Sequence, residues 1–306
     1  MRVFLTLLLS FYSLALAQLC QTWSAQTVGA IDTTISDETS GLAASQLVDD
    51  RLYLVSDSDW PHFYVTDQTA QSLQQVRIGT LGNKSRDLED LDVGPCGMTS
   101  CLYWANIGGN NVSRDSVEIV LIEELETFPE RVEPVHRLFL EYPDGNHDAE
   151  GLAVHPNGDI YVLTKEGPTI TGIPSAKLYR TRAVPWPRPD VPLPLEHIAT
   201  VDLRNLSGSL VDLFSHTATA MDISPDGSRL MILTYGNAFE INLDLDTLPS
   251  GSVTKIDKKI LHTNIPVQRL AQQEALSYLS EGYAFVYTTE AKGGDSPLLR
   301  YSCQSN

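Results

Sequence analysis

The stretch EGLAVHPNGDIYVLTK, residues 150–165, holds in sixteen residues the pattern from which the whole chain is built. Gly151-Leu152-Ala153-Val154 is a short apolar run, and Ile160-Tyr161-Val162-Leu163 is a second run rich in β-branched and aromatic side chains, the composition of strands. Between them stands Pro156-Asn157-Gly158-Asp159, where Pro sets φ and Gly takes φ > 0, the chemistry of a tight turn. The segment therefore reads as a β-hairpin with a polar residue, Glu150, at the start of its first strand.

Four more segments repeat it. Ser40-Gly41-Leu42-Ala43 leads to Leu52-Tyr53-Leu54-Val55, and Glu89-Asp90-Leu91-Asp92 leads to Leu102-Tyr103-Trp104-Ala105. Thr219-Ala220-Met221-Asp222 leads to Leu230-Met231-Ile232-Leu233, and Glu274-Ala275-Leu276-Ser277 to Phe285-Val286-Tyr287-Thr288. The motif starts lie 49, 61, 69 and 55 residues apart, close to the ~40–50 residues of a four-stranded propeller blade with its loops. Third strands are readable at Phe63-Tyr64-Val65, Val117–Val120, Lys177–Arg180, Phe239-Glu240-Ile241 and Leu298–Tyr301, and fourth strands around Val76, Leu138, Ile198 and Ile260. The fold class is all-β, a propeller of five blades, with a sixth left open in the irregular stretch from Pro185 to His216. Helical spacing of apolar residues appears weakly and only around Val267 to Leu279. An open β-sandwich explains neither the repeat nor the closure that follows.

The fifth repeat ends after Tyr301, one strand short, and residues Thr22 to Ile31 can supply the missing outer strand. Arg2, the apolar run Val3 to Leu16 and the triplet Ala15-Leu16-Ala17 form a signal-peptide pattern. The expected organisation is thus residues 1–17 as signal and 18–306 as one propeller domain, secreted and extracellular. That run is shorter than the ~20 residues of a membrane span, so no span is expected. Four cysteines allow three pairings: Cys96 with Cys101 would staple a turn, leaving Cys20 and Cys303 to join the two ends. Asn83, Asn111 and Asn205 each open an N-glycosylation triplet. Without Arg2, 20 basic face 39 acidic side chains, a net charge of −19. Such a field repels nucleic acid and anionic membranes and favours cations, although acidic surfaces also serve solubility alone.

The words "SGLAAS…LYLVSDSD", "RDLEDLDVGP…LYWANIGGN", "YPDGNHDAEGLAV…IYVLTKE", "ATAMDISPDG…LMILTYGNAFEI" and "QQEALSY…VYTTE" resemble a broad group of secreted, largely uncharacterised β-propellers. That group is related to phytase-like esterase and SdiA-regulated (TolB-like or YWTD-like) propellers. The likeness spans nearly the whole chain and implies the fold more than an activity. Where relatives read Asp at the second repeat's strand end this chain has Asn106, and its fourth repeat opens on Thr219.

In a hairpin the start of the first strand and the end of the second share one edge. Around a common axis, strand starts Ser40, Glu89, Glu150, Thr219 and Glu274 therefore meet strand ends Asp57, Asn106, Lys165, Glu166, Tyr235 and Glu290 at one rim. Nearby stand Arg86, Asp87, Asp90, His147 and Asp148. Three glutamates converging in a narrow channel repel one another unless protonated, paired with Arg86 or Lys165, or bridged by a cation. Ca²⁺, with 6–8 oxygen ligands in loose geometry, suits the donors Glu89, Glu150, Glu274, Asn106 and Asp57. Zinc does not, since no His-rich cluster with zinc spacing is present. Glu150 or His147 is the candidate general base, with Arg86, Lys165, Glu290 and Tyr235 as candidate substrate contacts. The alternative is that these acids bond main-chain amides of the next blade and hold the ring together.

The sequence contains no G-x-S-x-G elbow, no H-E-x-x-H, no phosphate-binding loop and no dinucleotide fingerprint. Paired carboxylates also suit a glycosidase if they stand ~5–9.5 Å apart. Two functions of different class follow. One is a metal-dependent hydrolase of phosphoester, lactone or other ester bonds. The other is a non-enzymatic module binding a glycan or protein, for which Trp60, Phe63, Tyr142, Trp186 and the loop Pro185 to Pro194 supply aromatic and Pro-rich surface. Isolated His62, His155 and His262 read as surface or loop residues.

Overall fold

A computed structural model of the chain describes residues 19–81, 87–109, 115–167, 175–182, 191–208, 214–291 and 293–304. The signal-peptide pattern, Arg86, the sequons at Asn83 and Asn111, and Trp186 lie outside these residues. The described residues form five antiparallel β-sheets whose first strands pack one against the next in chain order, the fifth returning to the first. This is a five-bladed β-propeller.

From the axis outward, blade 1 consists of Thr39–Ala44, Arg51–Ser56, His62–Asp67 and Gln74–Ile78. Blade 2 is Asp90–Cys96, Thr99–Asn106, Val117–Glu123 and His136–Glu141, and blade 3 is Ala149–Val154, Ile160–Thr164, Ala176–Thr181 and Glu196–Val201. Blade 4 is Ala218–Ile223, Arg229–Thr234, Ala238–Asn242 and His262–Ile265. Blade 5 takes Gln272–Tyr278, Ala284–Glu290 and Ser296–Cys303, and its outer strand is the N-terminal Trp23–Ile31, antiparallel to Ser296–Cys303. The inner strands, sandwiched by both neighbouring blades, are buried along almost their whole length, whereas Trp23–Ile31 is mostly exposed with only Ile31 buried, and Gln74–Ile78 buries only Val76 and Ile78.

The stretch from Pro185 to His216 adds no sixth blade: its described part supplies Leu193–Pro194 at the edge of blade 2, Glu196–Val201 as the outer strand of blade 3, and the short helices Leu203–Ser207 and Phe214–His216. The weak helical spacing from Val267 to Leu279 belongs instead to the inner strand Gln272–Tyr278. In that strand both faces are covered, so apolar residues occur without regard to period. Among the described residues no helix is long and apolar enough to cross a membrane.

Three features of the ring were not readable beforehand. In four blades the pairing of the inner hairpin slips by one residue, between Thr39 and Gly41, Ala149 and Gly151, Ala218 and Ala220, and Gln273 and Ala275. The bulged residues are thus Ser40, Glu150, Thr219 and Glu274, the first letters of the repeat. A bulge re-aims its side chain and often sits beside a working site. The small residue that follows is dictated by close packing: a Cβ on Gly41 would stand 2.6 Å from Asp90 Cα, and one on Gly151 2.8 Å from Met221 Cβ.

Second, the ties between blades come from aspartates. Asp90 accepts the Leu152 amide at 2.8 Å, Asp92 the Val154 amide at 2.6 Å, and Asp222 the Tyr278 amide at 2.6 Å. Third, outer edges are covered by short parallel strands reaching back from the next blade, namely Arg131–Val132, Leu193–Pro194 and Thr254–Ile256. A covered edge has no free amides to recruit another sheet.

Both disulfides form, Cys96–Cys101 across the blade 2 turn and Cys20–Cys303 across 283 residues. The latter holds the end of Ser296–Cys303 beside the N-terminal strand, and the Cys20 amide donates to Glu240, itself paired with Arg229 at 2.9 Å in the interior of blade 4. The double variant Cys20→Ser/Cys303→Ser is expected to lose about 2–4 kcal/mol in denaturant unfolding. Cys96→Ser/Cys101→Ser should lose about half as much, because the entropy of loop closure grows with the logarithm of loop length.

Candidate functional site

The bulges carry the candidate site to one mouth of the channel. Glu150 and Glu274 stand on bulges of blades 3 and 5, and Glu89 occupies the equivalent place just before Asp90–Cys96, its amide donating to the Ala105 carbonyl at 3.2 Å. Asp57 follows the second strand of blade 1, Lys165 that of blade 3 and Tyr235 that of blade 4. All five blades therefore contribute.

The acids fall into two overlapping groups. Asp57, Asp87 and Glu89 each bring a carboxylate oxygen within 4.8 Å of the others, and so do Glu89, Asp148 and Glu150. Glu89 is shared by both and is 5% exposed. No hydrogen-bond donor among the described residues reaches its carboxylate. Two charges 4.8 Å apart repel by about 3 kcal/mol per pair at an effective dielectric near 20. Two such triads ionised together would be untenable without protons or a cation. The pKa values follow: burial, reinforced by Glu150, Asp87 and Asp57, holds the Glu89 carboxyl well above the usual carboxylate range. Burial and then Asp87 and Glu38 push Asp57 up to about 6.

The other half of the mouth is neutralised internally. Lys165 Nζ lies 2.6 Å from Glu150 Oε1 and 3.7 Å from Glu274 Oε1, and Tyr235 donates its hydroxyl to the same Glu274 oxygen at 2.5 Å. The ammonium also sits 5.6 Å from the centre of the Tyr235 ring. Burial acts to lower the Lys165 pKa, but Glu150, Glu274 and Tyr235 outweigh it and leave it raised. Glu150 is itself pushed up to about 8 by burial, with Lys165 opposing and Glu274 adding to the effect.

Other candidates sit elsewhere. Asn106 is fully buried; its Oδ1 accepts the Asp87 amide at 3.2 Å and its Nδ2 faces Glu118 at 3.5 Å, so it holds Asp87 in place from behind. Glu290 accepts the Gln272 amide group at 2.7 Å. Asp90, next in sequence to Glu89, turns its carboxylate to the main chain of blade 3. His147 packs over the third strand of its blade, with Nε2 3.0 Å from Asp144 and 2.9 Å from the Tyr179 hydroxyl, while Nδ1 stands 3.9 Å from Glu166. It shares no hydrogen bond with the channel acids among the described residues. Asn205, at the middle of the short helix Leu203–Ser207, is half-buried.

Gly108 and Gly109 were missed. A Cβ on Gly108 would stand 1.9 Å from Glu89 Oε1, and one on Gly109 2.9 Å from the His147 carbonyl oxygen. The Gly109 amide donates to Asp148 at 2.8 Å. The paired glycines directly after Asn106 and Ile107 were the available signal. Several surface readings are corrected. Phe63 is fully buried and Tyr142 is 6% exposed, both in blade cores, and Trp60 packs against Trp104 in a tilted pair with ring centres 4.6 Å apart. His155 is likewise buried, 3.4 Å from Asp244.

No protein-family model matches the chain, and no curated protein does. Among solved structures it is similar to the Malassezia sympodialis allergen Mala s 1, at 14% identity over 87% of this chain and 92% of that one, with a TM-score of 0.51. The likeness is one of fold. The soluble aldose sugar dehydrogenase of Escherichia coli aligns over 92% of this chain and 100% of its own at 11% identity, with a TM-score of 0.48, a degree of likeness that carries no argument about activity.

The raised carboxyls give a signed prediction for cation-free protein. Asp57 and Glu150, near 6 and 8 in the fold against ordinary values of 3.8 and 4.5, keep protons that the unfolded chain releases. The stability these two groups contribute should be complete below about pH 4 and be lost as pH rises towards 8. Thermal melts in chelator from pH 5 to 9 check this, and Glu89→Gln, which removes the shared acid, should flatten the decline.

Proposed function

We propose that this chain is a secreted, calcium-binding propeller that hydrolyses an ester or phosphoester at this mouth of its channel. The observation that carries the reading is Glu89: a buried carboxylate with no hydrogen-bond donor among the described residues, flanked by carboxylates from two other blades and backed by a glycine that leaves room for it. Oxygen-only donors of mixed reach, from Asp57, Asp87, Glu89, Asp148 and Glu150, match the loose 6–8-fold coordination of Ca²⁺. Bound there, the ion would supply Lewis acidity towards a phosphoryl or carbonyl oxygen.

The chain's own groups do the rest. Glu150 is the base we assign, acting in the ionised form that Lys165 and a bound cation would favour, since His147 is engaged with Asp144 and Tyr179. Lys165, 2.6 Å from Glu150, keeps that carboxylate oriented and offers positive charge to developing oxyanion character. Tyr235 and Glu274 fix the ammonium from the far side. Secretion accords with the two disulfides, and the triplet at Asn205 is a candidate glycan site.

Calorimetric titration of chelator-treated protein with CaCl₂ should show saturable binding, and calcium at 100 times Kd should add about 2.7 kcal/mol of stability. Glu89→Gln should abolish both. In a panel of phosphomonoesters, lactones and aryl esters, Glu150→Gln should cut turnover by about 10²–10⁴-fold while calcium still binds. Absence of calcium binding by folded protein contradicts the reading of the site, and calcium binding without turnover on any ester contradicts the reading of the reaction.

A further inference from the structure

The opposite mouth of the channel holds a cavity of about 300 Å³ unrelated to the site above. It is framed by the last residues of the inner strands and by the turns that follow them. Three aspartates line it: the buried Asp92 of blade 2, 8% exposed, and Asp222 of blade 4, 7% exposed, from non-adjacent blades, and the exposed Asp49 of the blade 1 turn. Around them stand apolar walls, Val93, Val154 and Ile223 with Pro95, Pro156 and Pro225, and the residues Ser277 and Ser280.

The four carboxylate oxygens are already oriented by the main chain. Asp92 accepts the Val93 and Val154 amides, each at 2.6 Å, and Asp222 accepts the Ile223 and Tyr278 amides, each at 2.6 Å. Asp222 Oδ2 also accepts the Ser277 hydroxyl at 3.2 Å, while Asp222 Oδ1 and both Asp92 oxygens, each accepting one amide, keep a lone pair for a further donor. A metal ion requiring six or more oxygens is badly served by this arrangement, and the metal-spaced acid triads among the described residues are at the other mouth. A protonated primary amine needs only about three acceptors and carries its charge on a stem of methylenes that the Pro and Val walls can cover. Burial, reinforced at Asp92 by Asp222, holds Asp92 well above the usual carboxylate range and pushes Asp222 up to about 7, so an ammonium would compensate negative charge that a neutral alcohol leaves unmet.

We infer that this cavity binds an alkylammonium group, a protonated primary amine on a short aliphatic stem, held between Asp92 and Asp222. The group can be presented by a free diamine or by a lysine side chain, and the two sources have the same contact chemistry.

Calorimetry of the full chain with 1,5-diaminopentane, 1-pentanol and a short peptide ending in lysine tests it. Diaminopentane is expected to bind one to one, and pentanol at least tenfold more weakly. A peptide tighter than the diamine identifies a lysine side chain as the source, and the reverse a free amine. Asp222→Asn should weaken binding at least tenfold. Ser280→Trp, at an exposed rim position, should block it with the thermal midpoint unchanged, which keeps the test valid if Asp222→Asn folds poorly. Glu89→Gln should leave amine binding intact, separating this site from the calcium reading. No saturable binding of either amine to folded protein, equal binding of pentanol, or binding untouched by Ser280→Trp overturns the inference.

Discussion

Everything at the working mouth depends on the repulsion among carboxylates that fivefold closure forces together. Inner strands around one axis approach so closely that Gly41 and Gly151 admit no Cβ, and the bulged residue just before each turns its side chain inwards. An acid opens the repeat in three of five blades, on a bulge at Glu150 and Glu274 and just before the strand at Glu89, so the channel collects negative charge faster than Lys165 can offset it. The fold therefore holds a latent demand for protons or a cation, concentrated on Glu89.

Acids in this ring serve two purposes that a single register step separates. Glu89 faces the channel, and Asp90 turns to the Leu152 amide of the next blade; alternation of side chains along a strand makes neighbours in sequence opposite in task. The reading that polar strand starts hold blades together was thus right in kind and displaced in residue. Asp90, Asp92 and Asp222 tie blades, while Glu89, Glu150 and Glu274 converge.

The blades, their inner strands, the N-terminal strand that completes blade 5 and both disulfides were legible because each leaves a local mark: a hairpin with its turn, a repeat one strand short, an even cysteine count. The bulges left none, since a slip in pairing depends on how closely the neighbouring blade approaches. Aromatics such as Phe63 and Tyr142 looked exposed because their loops and strands are polar around them, yet their rings point into blade cores. The reach of His147 was also invisible, being decided by Asp144 and Tyr179 on the outer side of its blade.

A crystal grown with calcium, measured for anomalous scattering, addresses the central claim most directly. The account predicts a peak within coordination distance of Glu89 and of carboxylates from its two flanking groups. A channel mouth with well-ordered side chains and no peak there, Glu89 being bonded to a protein donor instead, would contradict it.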